Sequence, residues 1–252
     1  MTPQLTAKVD AGVLAISLDR PEKRNALSRE MINGLADALA QAEIDPDIRV
    51  VLVVGTGSDF CAGADLAELL ESADQPVDEN ERDALRLGEV FLAMRRIPKP
   101  VIAMVQGRAL AGGCGLATAC DIVVAGRGAQ FGYPEVQRGF VPAMVMTMLR
   151  RSVGEKRAFE LIASGRVIDA EEALAMGLVS RVVDDKALEG EVAKLAATMA
   201  KRPATAFALT KQLFTDLDGR EFGDGILLGA RVNALSRTTD DFKRAIKEFL
   251  DK

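Results

Sequence analysis

The stretch Val101-Ile102-Ala103-Met104-Val105-Gln106-Gly107-Arg108-Ala109-Leu110-Ala111-Gly112-Gly113-Cys114-Gly115-Leu116-Ala117-Thr118-Ala119-Cys120-Asp121-Ile122-Val123-Val124-Ala125 decides how this chain is read. Pro98 and Pro100 force an extended entry, because the residue before a proline is driven out of helical geometry. Val101–Val105 then reads as a strand, and Ala111–Gly115 as a glycine-dense turn. A small-residue helix from Leu116 to Cys120 follows, and then a second strand from Ile122 to Ala125. Strands alternating with helices specify an α/β architecture.

The same device occurs upstream. Val50–Val54 is a continuous apolar run that suits a strand buried on both faces. Thr56-Gly57-Ser58-Asp59 is a turn, and a short helix is expected near Asp65. Gly12–Leu18 reads as a further strand. Ser28 is placed as an N-cap, and Met31, Leu35, Ala38, Leu39 and Ala42 form one apolar helical face. The acidic segment Glu71–Asp83 reads as a mobile surface loop, followed by a helix over Ala84–Arg96. From Pro142 onward the pattern is mostly helical, with one short strand near Leu178–Val183. Two regions are expected: a core over 1–195 and a helical region over 196–252.

Composition closes off whole classes of chemistry. The 252 residues contain no histidine and no tryptophan, so no Ser-His-Asp triad, Cys-His dyad or imidazole metal site can exist. Acid–base chemistry near neutral pH must come from a carboxylate, a thiol, a lysine or the single tyrosine. Cys61, Cys114 and Cys120 form no CxxC pair, which argues against a zinc site or disulfide framework and fits a reducing cytoplasm. A net charge of -5 argues against nucleic-acid binding, which needs a positive field. The start Met1-Thr2-Pro3-Gln4 carries no signal-peptide pattern, and the apolar stretch 101–125 is too interrupted to span a membrane. A cytoplasmic protein is expected.

Three segments could carry chemistry. Phe60-Cys61-Ala62-Gly63-Ala64-Asp65-Leu66 and Ala111-Gly112-Gly113-Cys114-Gly115 each bring small residues to a helix start. Backbone N–H groups there lack intrahelical partners and can donate to an anionic oxygen. Taken alone, the first segment is read as a tight strand-to-helix connection with Asp65 favouring the helix N-terminus, and the second as a close-packed helix in a crowded core. Two that face each other would form a two-donor oxyanion hole. The third segment is Phe131-Gly132-Tyr133-Pro134-Glu135-Val136, where Glu135 against an apolar wall would have a pKa raised by desolvation; the alternative, and the commoner fate of a single glutamate, is a surface loop position.

Together these segments resemble the enoyl-CoA hydratase/isomerase, or crotonase, superfamily. The resemblance runs from about Val13 to Lys252. It also includes Arg20-Pro21 with Asn25-Ala26-Leu27, Cys120-Asp121, Ser164-Gly165-Arg166 and Ala170–Val179. It implies a crotonase-like spiral of repeated strand-strand-helix units with a C-terminal helical oligomerisation region, assembled as a homotrimer or homohexamer. It implies an acyl-CoA thioester as the small-molecule substrate, coenzyme A being part of that substrate, with no separate cofactor, metal, nucleic acid or membrane partner. By position, Ala64 and Gly112 would supply the N–H pair and Glu135 the catalytic carboxylate. Arg24, Ala26, Ala62, Asp65 and Leu66 would lie along the CoA pocket. Phe249 and Lys252 of the final helix would approach a neighbouring subunit's CoA.

The chain also departs from the pattern. Hydratases of this superfamily carry a second glutamate where Gly115 stands, and a glycine-rich turn where this chain reads Val141-Pro142-Ala143-Met144-Val145-Met146. A branch resembling methylglutaconyl-CoA hydratases also has a small residue followed by Gly-Leu there and keeps the later glutamate. This ranks hydration of a 2-enoyl-CoA first. Double-bond isomerisation is the alternative, and a non-catalytic acyl-CoA binder the third reading. Glu68, Glu71 and Cys114 are the candidates for a replacement acid.

Overall fold

The computed structural model describes residues 4–251. In chain order the elements are β1 (Leu5–Asp10), β2 (Val13–Leu18), α1 (Arg29–Ile44), β3 (Val50–Gly55), α2 (Leu66–Glu71), α3 (Val77–Arg96), β4 (Val101–Val105) and β5 (Arg108–Leu110). They continue with α4 (Gly112–Ala119), β6 (Ile122–Gly126), β7 (Gln130–Gly132), α5 (Ala143–Val153), α6 (Glu155–Ser164), β8 (Val167–Asp169), α7 (Ala170–Met176) and β9 (Arg181–Val183). The chain closes with α8 (Leu188–Ala200), α9 (Ala204–Asp216), α10 (Phe222–Thr238) and α11 (Asp240–Leu250).

Six strands form one sheet in the order β1-β2-β3-β4-β6-β9, antiparallel only between β1 and β2. The β-branched run of β3 explains its central place. Val51 and Val53 pack into the main core with α1 and α3, while Val50 packs on the other face against Leu188, Val192 and Ala196 of α8. A strand buried on both faces needs no polar alternation. A second, three-stranded sheet, β5-β7-β8, was not foreseen from the sequence. Its strands are three residues each, too short for a period-2 signal.

Two expectations are corrected. Of the segment 71–83 only residues 72–76 form a loop, because α2 ends at Glu71 and α3 begins at Val77. Its polar sequence is a charge-complemented helix: Asp78 and Glu79 sit in the first turn, Arg95 and Arg96 in the last, and Arg82 pairs with Asp78 one turn back. The small-residue helix also begins earlier than Leu116, at Gly112. The line drawn at 195/196 passes through α8, whose apolar face lies on the sheet; helices with no buried side chain begin at Ala204. Lys211 of α9 anchors those helices, donating to Met94 O (2.7 Å), Lys99 O (2.9 Å) and Asp121 Oδ2 (2.7 Å). No helix among the described residues is long and apolar enough to cross a membrane.

Candidate active site

The two helix starts lie side by side. Residues 24–27 run along residues 62–65: Ala62 N–H donates to Arg24 O (3.0 Å), Leu27 N–H to Gly63 O (2.7 Å) and Asp65 N–H to Leu27 O (3.0 Å). This ladder uses the Gly63 carbonyl and the Asp65 N–H on either side of Ala64 and leaves the Ala64 N–H without a backbone acceptor among the described residues. Gly112 is the first residue of α4, so its N–H also has no intrahelical acceptor. A methyl built on Gly112 would stand 3.8 Å from Ala64 N, and one on Gly63 would stand 3.4 Å from Gly112 N. The free amides are therefore immediate neighbours, as an oxyanion hole requires.

Different forces fix the two turns. Asn25 is fully buried and ties the Ala64 turn to two others. Its Nδ2 donates to Thr56 O (2.9 Å) and Asp59 O (2.8 Å), and its Oδ1 accepts Arg20 N–H (2.9 Å). Asp65 accepts Ala67 N–H at Oδ1 (3.0 Å), capping α2, and pairs with Arg20 through Oδ2 (3.0 Å). Burial pushes the Asp65 carboxyl upward, but Arg20 and the α2 amides outweigh it and hold it below its ordinary value. On the other side, a Cβ on Gly113 would collide with the Cys61 carbonyl, so only glycine lets α4 lie this close. Ala111, at φ 52 and ψ -128, occupies backbone space that favours glycine, and its N–H is held by Gly132 O (2.8 Å).

That last bond connects the donors to the carboxylate. Gly132 ends β7, and the chain passes through Tyr133 into a 3-10 turn, Pro134–Arg138. Tyr133, itself fully buried, shares a hydrogen bond with Thr118 Oγ1 of α4 (2.9 Å). Gln137 donates to Gly165 O (2.9 Å), so the Ser164-Gly165-Arg166 motif braces this turn. Glu135 is only 7% exposed, and its Oε2 has no hydrogen-bond partner among the described residues. Burial raises its pKa, with the nearby Arg138 charge offsetting only part of the effect.

The remaining site residues are placed as follows. Arg24 and Leu66 are exposed, and Ala26, Ala62 and Asp65 are half-buried along the 24–27 and 62–65 ladder. Phe249 is exposed on α11, and Lys252 lies outside the described residues. Of the candidate replacement acids, Glu71 is exposed at the end of α2. Glu68 Oε2 accepts Arg29 N–H (2.8 Å) at the start of α1. Burial pushes the Cys114 thiol up to about 12, which keeps it protonated. Gly115 is fully buried, and a Cβ there would overlap Val145 Cγ1. The apolar wall of Leu87, Phe91 and Val145 was not foreseen, since the sequence signals only helix cores at those positions.

Comparison with known proteins gives this geometry its family. Residues 8–252 match the family model described as enoyl-CoA hydratase/isomerase. The chain belongs to the enoyl-CoA hydratase/isomerase family. A Thermus thermophilus protein provisionally named as an enoyl-CoA hydratase is 45% identical over 241 residues, covering 95% of both chains. The 2,3-dehydroadipyl-CoA hydratase of Escherichia coli is 34% identical over 241 residues, covering 95% of this chain and 92% of its own. The crystal structure of an enoyl-CoA hydratase from Mycobacterium smegmatis superposes with a TM-score of 0.94 at 33% identity, covering 99% and 96%. The α/β fold of this family member is thus the crotonase fold, with the helical C-terminal region attached.

Proposed function

We propose that this family member adds water across the double bond of a 2-enoyl-CoA thioester, with Glu135 as the one acid–base group. The thioester oxygen sits between the Ala64 and Gly112 N–H groups. Glu135 removes a proton from water while the water oxygen bonds to C3 and the π electrons move onto the thioester oxygen. The resulting enolate is held by the two amides, and the protonated Glu135 returns its proton to C2. One water is added and the carboxylate is regenerated, so no cofactor is needed beyond the coenzyme A carried by the substrate. The observation that supports this most directly is the buried, unpartnered Glu135 Oε2 on a turn hydrogen-bonded through Gly132 to the donor helix start. A raised pKa suits a group that must both take and return a proton.

The exposed Arg24 and Leu66 and the half-buried Ala26 and Ala62 flank the coenzyme A, and Asp65 acts by shaping the turn, since Arg20 and Ala67 occupy its oxygens. Helices α9 to α11 bury no side chain and leave Phe222, Ile226, Leu227 and Leu250 exposed, which supports assembly into a homotrimer or homohexamer. Three free, buried cysteines suit a reducing compartment such as the cytoplasm. Incubation with crotonyl-CoA and a branched glutaconyl-CoA, following loss of the enoyl absorbance, tests the reaction. Turnover of either is expected. Binding without turnover, or migration of the double bond in a 3-enoyl-CoA without water addition, would overturn hydration.

A further inference from the structure

Gly115 and Val145 are a matched pair. A Cβ on Gly115 would overlap Val145 Cγ1 and stand 3.3 Å from Val145 Cβ and 3.4 Å from Phe91 Cζ. The volume a side chain would take at position 115 is thus already filled, by a valine from α5 that is 4% exposed. Three residues earlier on the same helix face, a Cβ on Gly112 would meet Leu87 Cδ2 at 3.7 Å. Leu87 and Phe91 are one turn apart on α3, both at least nine-tenths buried. The α4 face that begins with a free N–H therefore continues into an apolar wall of Leu87, Phe91 and Val145. The three atoms nearest to a Cβ at Gly115 are all carbons of Val145 and Phe91.

We propose that Val145, packed across Gly115, is a specificity-determining residue that caps the room beside the thioester and selects acyl groups unbranched at C2. This deepens the reading of the site as an acyl-CoA site and rests on it. The oxyanion pair fixes the thioester carbonyl, C2 is bonded to that carbonyl carbon, and the α4 face that carries Gly112 runs on to Gly115 and the Val145 packed across it. Interiors do not yield readily to added methyl groups, and one misfitted methyl in an apolar pocket changes affinity by roughly 10- to 200-fold. Wild-type protein then accepts a linear acyl group and rejects one with extra methyls at C2.

The test uses saturated thioesters, which cannot react, so it is independent of hydration. Titration calorimetry compares butyryl-CoA with pivaloyl-CoA, which carries three methyls on C2. The wild type is expected to bind pivaloyl-CoA at least ~10-fold more weakly, and Val145→Gly to bring the two within about threefold. Val145→Ala, a milder change, should move the ratio in the same direction if Val145→Gly does not fold. An unchanged ratio in the folded variant overturns the proposal. Failure of the wild type to bind either thioester overturns the acyl-CoA reading beneath it. A thermal melt tests the pairing alone: Gly115→Ala should melt lower than wild type, and adding Val145→Ala should recover most of the loss. Additive losses would show that the two positions are not coupled.

Discussion

The two turns to which the N–H pair is assigned by proposal are built on one plan and held by opposite means. The Ala64 turn leads into a six-residue helix, is half-exposed, and is fixed by polar side chains: Asn25, Arg20 and Asp65. The Gly112 turn leads into an eight-residue helix whose next four residues are all buried, and it is fixed by close packing on Cys61. Polar pinning tolerates exposure because each hydrogen bond is directional. Packing needs burial, and it forbids a side chain at Gly113. The pair should therefore fail in different ways under mutation.

Both turns must serve one reaction centre, and Glu135→Gln tests that premise with the largest effect. The amide keeps size and polarity but cannot take a proton, so turnover should fall by ~10²–10⁴ while thioester affinity is kept. Stability should move the other way. The folded-state pKa of Glu135 is raised, so the folded chain keeps a proton that the unfolded chain has released. Stability therefore falls as pH rises from the ordinary carboxylate range through the raised value. Glu135→Gln removes that loss, so its urea midpoint should be flatter with pH and no lower than wild type at neutral pH. Wild-type turnover, or a variant that loses stability as pH rises just as the wild type does, would clear Glu135.

Gly112→Pro removes the other turn's donor. Proline is tolerated at the first helical position, so the helix itself can survive. The value of kcat/KM should drop by about 10²–10³. Circular dichroism would confirm that α4 is retained, and a rate near wild type would show that the Gly112 N–H is not used.

Asn25→Ala attacks the polar-pinned turn. It strands the Arg20 N–H and two carbonyls at a fully buried position, which should destabilise by roughly 2–3 kcal/mol in urea. Hydrogen exchange gives the comparison directly. Amides of residues 62–65 should exchange faster, while those of Leu116–Ala119 keep their protection. Equal loosening of both would mean that one network holds the two turns.

How far this was legible in the sequence follows the same division. The glycine turns and the burial of Glu135 were legible because small residues before a helix, and a carboxylate among apolar neighbours, have local signatures, whereas the roles assigned to them came from the family resemblance. The strand β3 was readable from its unbroken apolar run. What was missed depends on contacts between distant segments. Asn25 stood out only as part of a motif, because its partners Thr56 and Asp59 lie more than thirty residues away in sequence. The Val145 wall was hidden because a valine at helical spacing is indistinguishable from any core residue until its neighbour is known to be Gly115. Helix α3 was misread over its first turns because charged residues that complement the helix ends look, in one dimension, like a solvated loop.

The smallest expected effect falls on Ala111, and it separates packing from strain at the Gly112 turn. An L-residue at positive φ is disfavoured by roughly 1–2 kcal/mol, and glycine would relieve this. Glycine also loosens the unfolded chain, which takes back about 0.4–1 kcal/mol. Ala111→Gly should therefore change stability by roughly 0–1.6 kcal/mol, towards stabilisation. The Ala111 N–H bond to Gly132 O is unaffected by the substitution, so turnover should stay within a few-fold of wild type. The Ala111 methyl does, however, lie where a Cβ on Gly63 would meet it, so it borders the other turn. A tenfold loss of turnover with an unchanged melt would show that this methyl sets the spacing of the two amides, and that the packed turn governs the polar one.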